Sequence, residues 1–354
     1  MNKHNYTFID LFAGIGGIRI GFEQAGGECV FSSEWDKWAR ITYKAFFGHA
    51  PTNSDIHEIT NQNPEFIDRH ISNHDILTGG FPCQPFSIAG VSKRGSMGRP
   101  HGFNDPTQGT LFFEILKVIR AKKPKIIFLE NVKNLKFHEE TETYKVILDS
   151  LSEPEKGLKY VVVDQIIDAK HWVPQHRERI FFIAVREDLG IAKEELSECL
   201  NIKDVSRKLT LSQILENEKK TKAYTLTLGT WNALKKHKQR HQAKGNGFGY
   251  AIIDKPYKDK TTRTLSARYY KDGGEILLTQ RDTDIPRKLM PIECLRLQGF
   301  PKKYEDYFNG RYEQPVSDHQ AYRQFGNSVA VPVISFLAKN IIALLDKLNT
   351  DSEE

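Results

Sequence analysis

The chain has 354 residues, with 51 lysines and arginines against 45 acidic residues and a net charge of +6. That length supports a sizeable core in one large domain or two moderate ones. The start, Met1-Asn2-Lys3-His4-Asn5-Tyr6, lacks the apolar core of a secretory signal, and no stretch reads as clean enough to span a bilayer. Cys29, Cys83, Cys199 and Cys294 lie far apart without zinc or disulfide spacing, so a metal-free protein of the reducing cytoplasm is expected.

In chain order, Thr7–Phe12 reads as a first strand running into Phe12-Ala13-Gly14-Ile15-Gly16-Gly17. Glycines there permit a tight turn and close backbone approach to a ligand. The dinucleotide fingerprint G-x-G-x-x-G is not met, because Arg19 occupies its third glycine position. A pyrophosphate clamp, and with it an NAD-dependent oxidoreductase, is therefore disfavoured. A second strand, Glu28–Ser33, ends at Glu34-Trp35, where an acidic group accepts from a ribose diol about 20 residues after the turn. Trp35 could lie against an adenine, and Asp55-Ile56 follows near the end of the next unit. An adenosine-containing ligand without pyrophosphate points to S-adenosyl-L-methionine. Each piece is also compatible with plain structure: glycines in a turn, an exposed glutamate, a core tryptophan.

The third strand, Asp75–Gly80, leads into Phe81-Pro82-Cys83-Gln84-Pro85-Phe86-Ser87. Prolines on both sides of the thiol stiffen the backbone, each fixing φ and removing an N–H. Such a thiol is placed for nucleophilic attack, although a small buried cysteine in a turn fits the same segment. Gly109–Ala121 carries Leu111, Phe112, Ile115, Leu116 and Ile119 on one helical face. Further strands are expected at Lys125–Glu130, Tyr160–Ile167 and Arg179–Val185. Alternating strands and helices over residues 1–190 predict an α/β fold with an open parallel sheet, which binds ligands beyond the carboxyl ends of its strands. Cys83 and Glu130-Asn131 both fall at such ends.

From residue 191 the periodicity fades. Residues 191–287 hold 20 lysines and arginines against 12 acidic residues, a local +8 that leaves −2 for the remainder. A basic insert in a slightly acidic chain fits a polyanion-binding module, and a merely solvated lysine-rich surface has the same composition. Expected boundaries are 1–190 for a catalytic and cofactor-binding part, 191–317 for a target-recognition part with its hinge, and 318–354 for a return to the first part. The terminal run Val331–Leu345 contains Lys339 and Asn340 and reads as an amphipathic helix.

Taken together, the ordered motifs resemble the cytosine-5 DNA methyltransferase family. They are Phe12-x-Gly14-x-Gly16-Gly17, Pro82-Cys83-Gln84, Glu130-Asn131-Val132, Gln175-x-Arg177-x-Arg179, Pro291-x-Glu293-Cys294-x-Arg296-x-Gln298-Gly299 and Gly326-Asn327-Ser328-Val329. The resemblance covers nearly the whole chain and implies an S-adenosylmethionine-dependent, Rossmann-like fold with a smaller recognition domain. It further implies that Cys83 adds to C6 of a flipped-out cytosine, Glu130 serves N3, Arg179 binds O2 and Arg177 orients Glu130. Phe12, Gly14, Gly16, Glu34, Trp35, Asp55, Ile56, Asn327 and Ser328 are the implied cofactor residues. The segments 237–250 and 262–273 resemble bacterial enzymes acting at CC(A/T)GG, CCNGG or CCGG, and residues 262–273 are most similar to the CC(A/T)GG type. An extended stretch after Cys83, Val91–Gly98, does likewise, while a long N-terminal extension of some relatives is not seen. Gln84, Ser87, Arg240, Arg263, Arg268 and Arg281 are the candidate DNA contacts. This reading implies a modification enzyme paired with a restriction endonuclease, working as a monomer without an obligate protein partner. Two alternatives stay open: a tRNA cytosine-5 methyltransferase, from a branch with a reduced recognition region, and a non-catalytic DNA-binding regulator.

Overall fold

The computed structural model describes residues 5–81, 111–137, 142–152, 158–203, 205–207, 209–245 and 247–351. Cys83, Gln84, Ser87 and the stretch Val91–Gly98 lie outside them.

Six strands form one sheet: β1 (Thr7–Leu11), β2 (Glu28–Ser33), β3 (Ile76–Gly80), β4 (Ile126–Val132), β5 (Tyr160–Asp168) and β6 (Glu178–Arg186), in the order β2-β1-β3-β4-β6-β5. Each coincides within a residue or two with a strand read from the sequence. The expectation of a wholly parallel sheet needs correction, because β6 pairs antiparallel with both β4 and β5. Only residues 169–177 separate β5 from β6, too few for a parallel crossover, which needs about a dozen or more.

Alternate residues feed two cores. Phe8, Ile76, Ile126 and Phe128 face one side with Phe22 and Ile334, while Ile9, Leu77, Ile127 and Leu129 face the other with Ile115 and Ile119. Helix α1 (Gly17–Gln24) and the terminal Val331–Asp351 cover the first side. Gly21 permits their close approach, since a Cβ there would lie 2.5 Å from Ile334 Cγ2. By length and composition alone Asp318–Thr350 would pass for a membrane span, but 61% of its most apolar window is buried inside the fold. It is a core element.

Helix α2 (Lys37–Phe47) starts on an Asp36 cap that accepts from Trp38 and Ala39 N–H, satisfying two orphan donors. It joins α1 to a third core made with Leu265, Tyr269, Leu295, Tyr304 and Phe325. Helix α3 (Leu111–Lys122) covers the second side of the sheet. In the basic segment, α4 (Leu228–Ala243) is the one long element among the described residues, and only Trp231 and Leu234 are buried along it. They pack with Leu226 and Leu277 beneath the two-stranded pairing of β7 (Ile252–Ile253) with β8 (Leu277–Leu278). Between α4 and the terminal helix come α5 (Pro291–Leu297) and α6 (Asp318–Asn327), so Val331–Asp351 is α7.

Candidate active site

The chemistry-bearing residues gather at the carboxyl ends of β1, β2, β3 and β4. Glu130 sits at the end of β4 opposite Gly80 of β3. A Cβ on Gly80 would come 3.4 Å from Glu130 Oε2, so glycine leaves room for the carboxylate. On the antiparallel neighbour, Arg179 stands opposite Val132 and therefore diagonal to Glu130, within reach for a long side chain. Its Nε forms an ion pair with Glu130 Oε1 at 3.1 Å, both side chains largely shielded from solvent, while its Nη1 donates to the Glu178 carbonyl at 2.7 Å. Burial pushes the Glu130 carboxyl above the usual carboxylate range, against the opposing pull of Arg179 and then Arg177. A carboxyl so placed keeps its proton to higher pH than a free glutamate and can hand it to a ring nitrogen.

Next to it, the buried Asn131 donates from Nδ2 to the Phe81 carbonyl at 2.9 Å. That bond fixes the chain two residues before Cys83. The sequence marks Asn131 only as part of a motif, because an amide's partner cannot be read from spacing. Arg177 differs from its expected part. Its guanidinium makes no hydrogen bond to Glu130; Nη1 donates to the Leu265 carbonyl at 2.9 Å, and Nη2 to those of Gly326 at 3.0 Å and Ser328 at 2.5 Å.

Cys29, Cys199 and Cys294 are free thiols. Burial pushes Cys29 up to about 12 and Cys199 to about 11, and holds Cys294 well above its ordinary value. None of the three can supply a thiolate readily.

The loop after β1 is shaped by left-handed backbone at Phe12 (φ 59°), Gly14 (φ 57°) and Gly16 (φ 85°). A Cβ on Gly16 would strike the Phe47 ring at 2.3 Å, and one on Gly17 would meet Ser328 Oγ at 2.8 Å, whereas one on Gly14 would meet open space. The loop is thus closely backed on one side and open at Gly14. Glu34 folds over it, accepting from the Gly14 N–H at 2.7 Å and the Asp36 N–H at 2.6 Å. Burial raises its carboxyl despite both bonds. Trp35 beside it is 71% exposed, a free aromatic face. Asp55 accepts from the His57 N–H and Nδ1, and Ile56 is buried. Asn327 ends α6 exposed, while Ser328 covers Gly17. An open glycine turn, a carboxylate and an exposed indole suit a nucleoside with a short polar tail, so these residues fit the S-adenosylmethionine expected from the sequence.

Glu34→Ala and Asp55→Ala should each weaken cofactor binding by about ten- to a hundredfold, the loss of one hydrogen bond to a charged group. Duplex affinity should change far less. Calorimetric titration of both variants checks this, and unchanged cofactor affinity would remove them from the site.

Arg240, Arg263, Arg268 and Arg281 are all exposed. Arg263 is partly committed, donating from Nη1 to the Gly249 carbonyl at 3.0 Å. A cavity of about 930 Å³ lies elsewhere, lined by Trp172, Phe300, Phe336 and Arg296, and none of its lining residues comes from these strand ends.

Known proteins identify the family. The sequence profile described as C-5 cytosine-specific DNA methylase matches residues 6–343. A DNA-cytosine methyltransferase of Escherichia coli (strain K12) is 46% identical, covering 94% of this chain and 77% of that protein. The type II methyltransferase M.SsoII of Shigella sonnei is 45% identical over 96% of this chain and 81% of its own length. For M.NlaX of Neisseria lactamica the figures are 42%, 97% and 98%. Among solved structures, the S. pombe Dnmt2 methyltransferase superposes with a TM-score of 0.70 at 21% identity, covering 98% of this chain and all of that one, which shows a shared fold. The chain belongs to the C-5 cytosine-specific DNA methylases and is an S-adenosylmethionine-dependent DNA (cytosine-5-)-methyltransferase.

Proposed function

We propose that the chain methylates a flipped-out cytosine within CC(A/T)GG or CCNGG in double-stranded DNA, shielding that site from a cognate endonuclease. The target atom is unreachable inside a stacked duplex, so the base must leave the stack. Carbon 5 is a poor nucleophile until a thiolate adds to C6, which is the part of Cys83. Glu130 meets N3 and Arg179 meets O2, taking up the electron density pushed onto the ring. When bound, the cofactor supplies the methyl group. Loss of the C5 proton and expulsion of the Cys83 thiolate then restore aromaticity. The observation that carries this reading is the buried Glu130–Arg179 pair beside the chain entry to Cys83. Phe12, Gly14, Gly16, Glu34, Trp35, Asp55, Ile56, Asn327 and Ser328 line the cofactor side, while residues 191–317 carry target recognition and 318–354 rejoin the catalytic part.

The recognition sequence rests on the resemblance of segments 237–250 and 262–273. Four lysines and arginines and no acidic residue occur along α4, which supports contact with phosphates. Guanine offers two major-groove acceptors that arginine pairs bidentately, and Gln84, Ser87, Arg240, Arg263, Arg268 and Arg281 are the candidates for groove or backbone contact. Arg240→Ala distinguishes the two roles. If Arg240 binds a phosphate, its removal weakens every sequence alike and lowers the salt slope by about one. If it reads a guanine, removal costs about 1–3 kcal/mol and relaxes one position. The exposed helical location favours the first outcome, and anisotropy titrations over a salt series read it.

We place the enzyme in the bacterial cytoplasm, acting as a monomer on nucleoid DNA. Bisulfite sequencing of plasmid DNA from cells expressing the chain tests the target. Methylation confined to a motif without CC or GG would overturn it, and labelling of tRNA but not duplex DNA would move the activity to RNA.

A further inference from the structure

Arg177 is fully buried at 2% exposure, yet it forms no ion pair among the described residues. Its own N–H is held by Asp168 Oδ1 at 3.0 Å and its carbonyl accepts from Ala169, so the residue is anchored in the β5–β6 connection. From there the guanidinium spans two other segments. One bond reaches the Leu265 carbonyl in the basic insert; two reach Gly326 and Ser328 at the end of α6, where Ser328 covers Gly17.

Neighbouring contacts seat the same segments. The Leu265 N–H donates to Gln175 Oε1 at 2.9 Å, while Gln175 Nε2 donates to Gln298 Oε1 at 3.3 Å and Gln298 Nε2 to the Phe325 carbonyl at 2.6 Å. His176 N–H donates to the Thr262 carbonyl, and Thr262 N–H to that of Pro174. Residues 262–265 therefore run as a strap along Pro174–Arg177. The chain just past the strap also abuts the end of α6 directly, because a Cβ on Gly326 would fall 2.2 Å from the Ser266 carbonyl oxygen.

We infer that Arg177, with Gln175 beside it, is a positioning residue that ties the DNA-reading strap 262–265 to the cofactor-side end of α6 at residues 326–328, so that each ligand favours the binding of the other. This rests on the reading of residues 191–317 as the recognition part. The physical reason is that no carboxylate among the described residues reaches the guanidinium at ion-pair distance, Glu130 acting on it only from farther off. A buried cation whose hydrogen bonds all go to carbonyls of two segments, with its Nε left without a partner, loses a charge-assisted bond whenever either segment moves. Fixing Ser328 against an occupied cofactor loop thus fixes Leu265, and with it Arg263 and Arg268. Linkage makes the effect reciprocal, and couplings of this kind run from about five- to a hundredfold.

The test is a thermodynamic cycle. Affinity for a duplex containing CC(A/T)GG is measured with and without saturating S-adenosylhomocysteine, and S-adenosylhomocysteine affinity with and without the duplex. For the wild-type protein, each ligand should tighten the other about fivefold or more. Arg177→Lys keeps the charge but replaces the planar fork, whose two terminal nitrogens reach separate segments, with donors on a single nitrogen, and should bring the ratio below about twofold. A ratio cancels any uniform weakening, which a purely structural role would produce. If Arg177→Lys does not melt cooperatively, Gln175→Leu is read instead, since it frees the Leu265 N–H while leaving the guanidinium in place. A wild-type ratio of one, or an undiminished ratio in the folded variant, overturns the inference. Failure of the wild-type protein to bind the duplex at all would instead remove the recognition reading.

Discussion

Cys83→Ser should abolish methyl transfer while leaving duplex binding intact, and it should remove a covalent adduct that the wild-type protein forms on a 5-fluorocytosine duplex. The size of the effect follows from ionisation. A free thiol has a pKa of about 8.5, which nearby arginines can lower, whereas an alcohol stays protonated at any useful pH. No other cysteine can substitute. Cys29 and Cys199 are raised to about 12 and about 11 by burial, and Cys294 lies on α5 in a separate apolar core. Position argues the same way: Asn131 pins the Phe81 carbonyl beside the Glu130–Arg179 pair, two residues ahead of Cys83. Denaturing gels of the trapped complex give the readout. An adduct that survives Cys83→Ser would assign the attack to another residue.

The strands were legible because residues such as Ile126-Ile127-Phe128-Leu129 are buried on both faces, and a two-sided burial writes itself as a continuous apolar run. Strand direction was harder. Periodicity is blind to it, and only the short span 169–177 betrays that β6 runs backwards. The Phe12–Gly17 turn could be read because left-handed backbone leaves glycines behind. Arg177 shows the opposite case. The family resemblance implied a task for it at Glu130, yet residue 179 lies in the strand beside β4 while residue 177 precedes that strand and turns toward Leu265, Gly326 and Ser328. Those partners are 88, 149 and 151 residues away in sequence, and all are backbone carbonyls, which carry no residue-type signature. The basic insert stayed opaque for a related reason. Its core draws on few apolar residues, Leu226, Trp231, Leu234 and Leu277 among them, too sparse to impose a period.

Glu130→Gln should lower the methylation rate by about a hundred- to ten-thousandfold, the usual worth of a general acid, without lowering stability. Glutamine keeps an oxygen for Arg179 Nε and an N–H₂ for N3, so the geometry survives and only proton transfer is lost. The sign of the pH effect is set by burial, which raises the folded-state carboxyl against the pull of Arg179 and Arg177. In the unfolded chain a glutamate titrates near about 4.3. Between that value and the raised native one, the folded state binds the extra proton, so wild-type stability declines as pH rises through the window. Below it both proteins carry a neutral side chain and should melt alike; above it Glu130→Gln, which never ionises, should melt at the same temperature or higher. Activity moves separately. The wild-type rate should fall on the alkaline side as Glu130 gives up its proton, and that limb should vanish from the residual activity of Glu130→Gln. Melting curves and single-turnover rates across the same pH series measure both. A variant that loses stability in parallel with activity, or keeps the alkaline limb, would mean that Glu130 serves to hold Arg179 in place and that the proton reaches N3 from elsewhere.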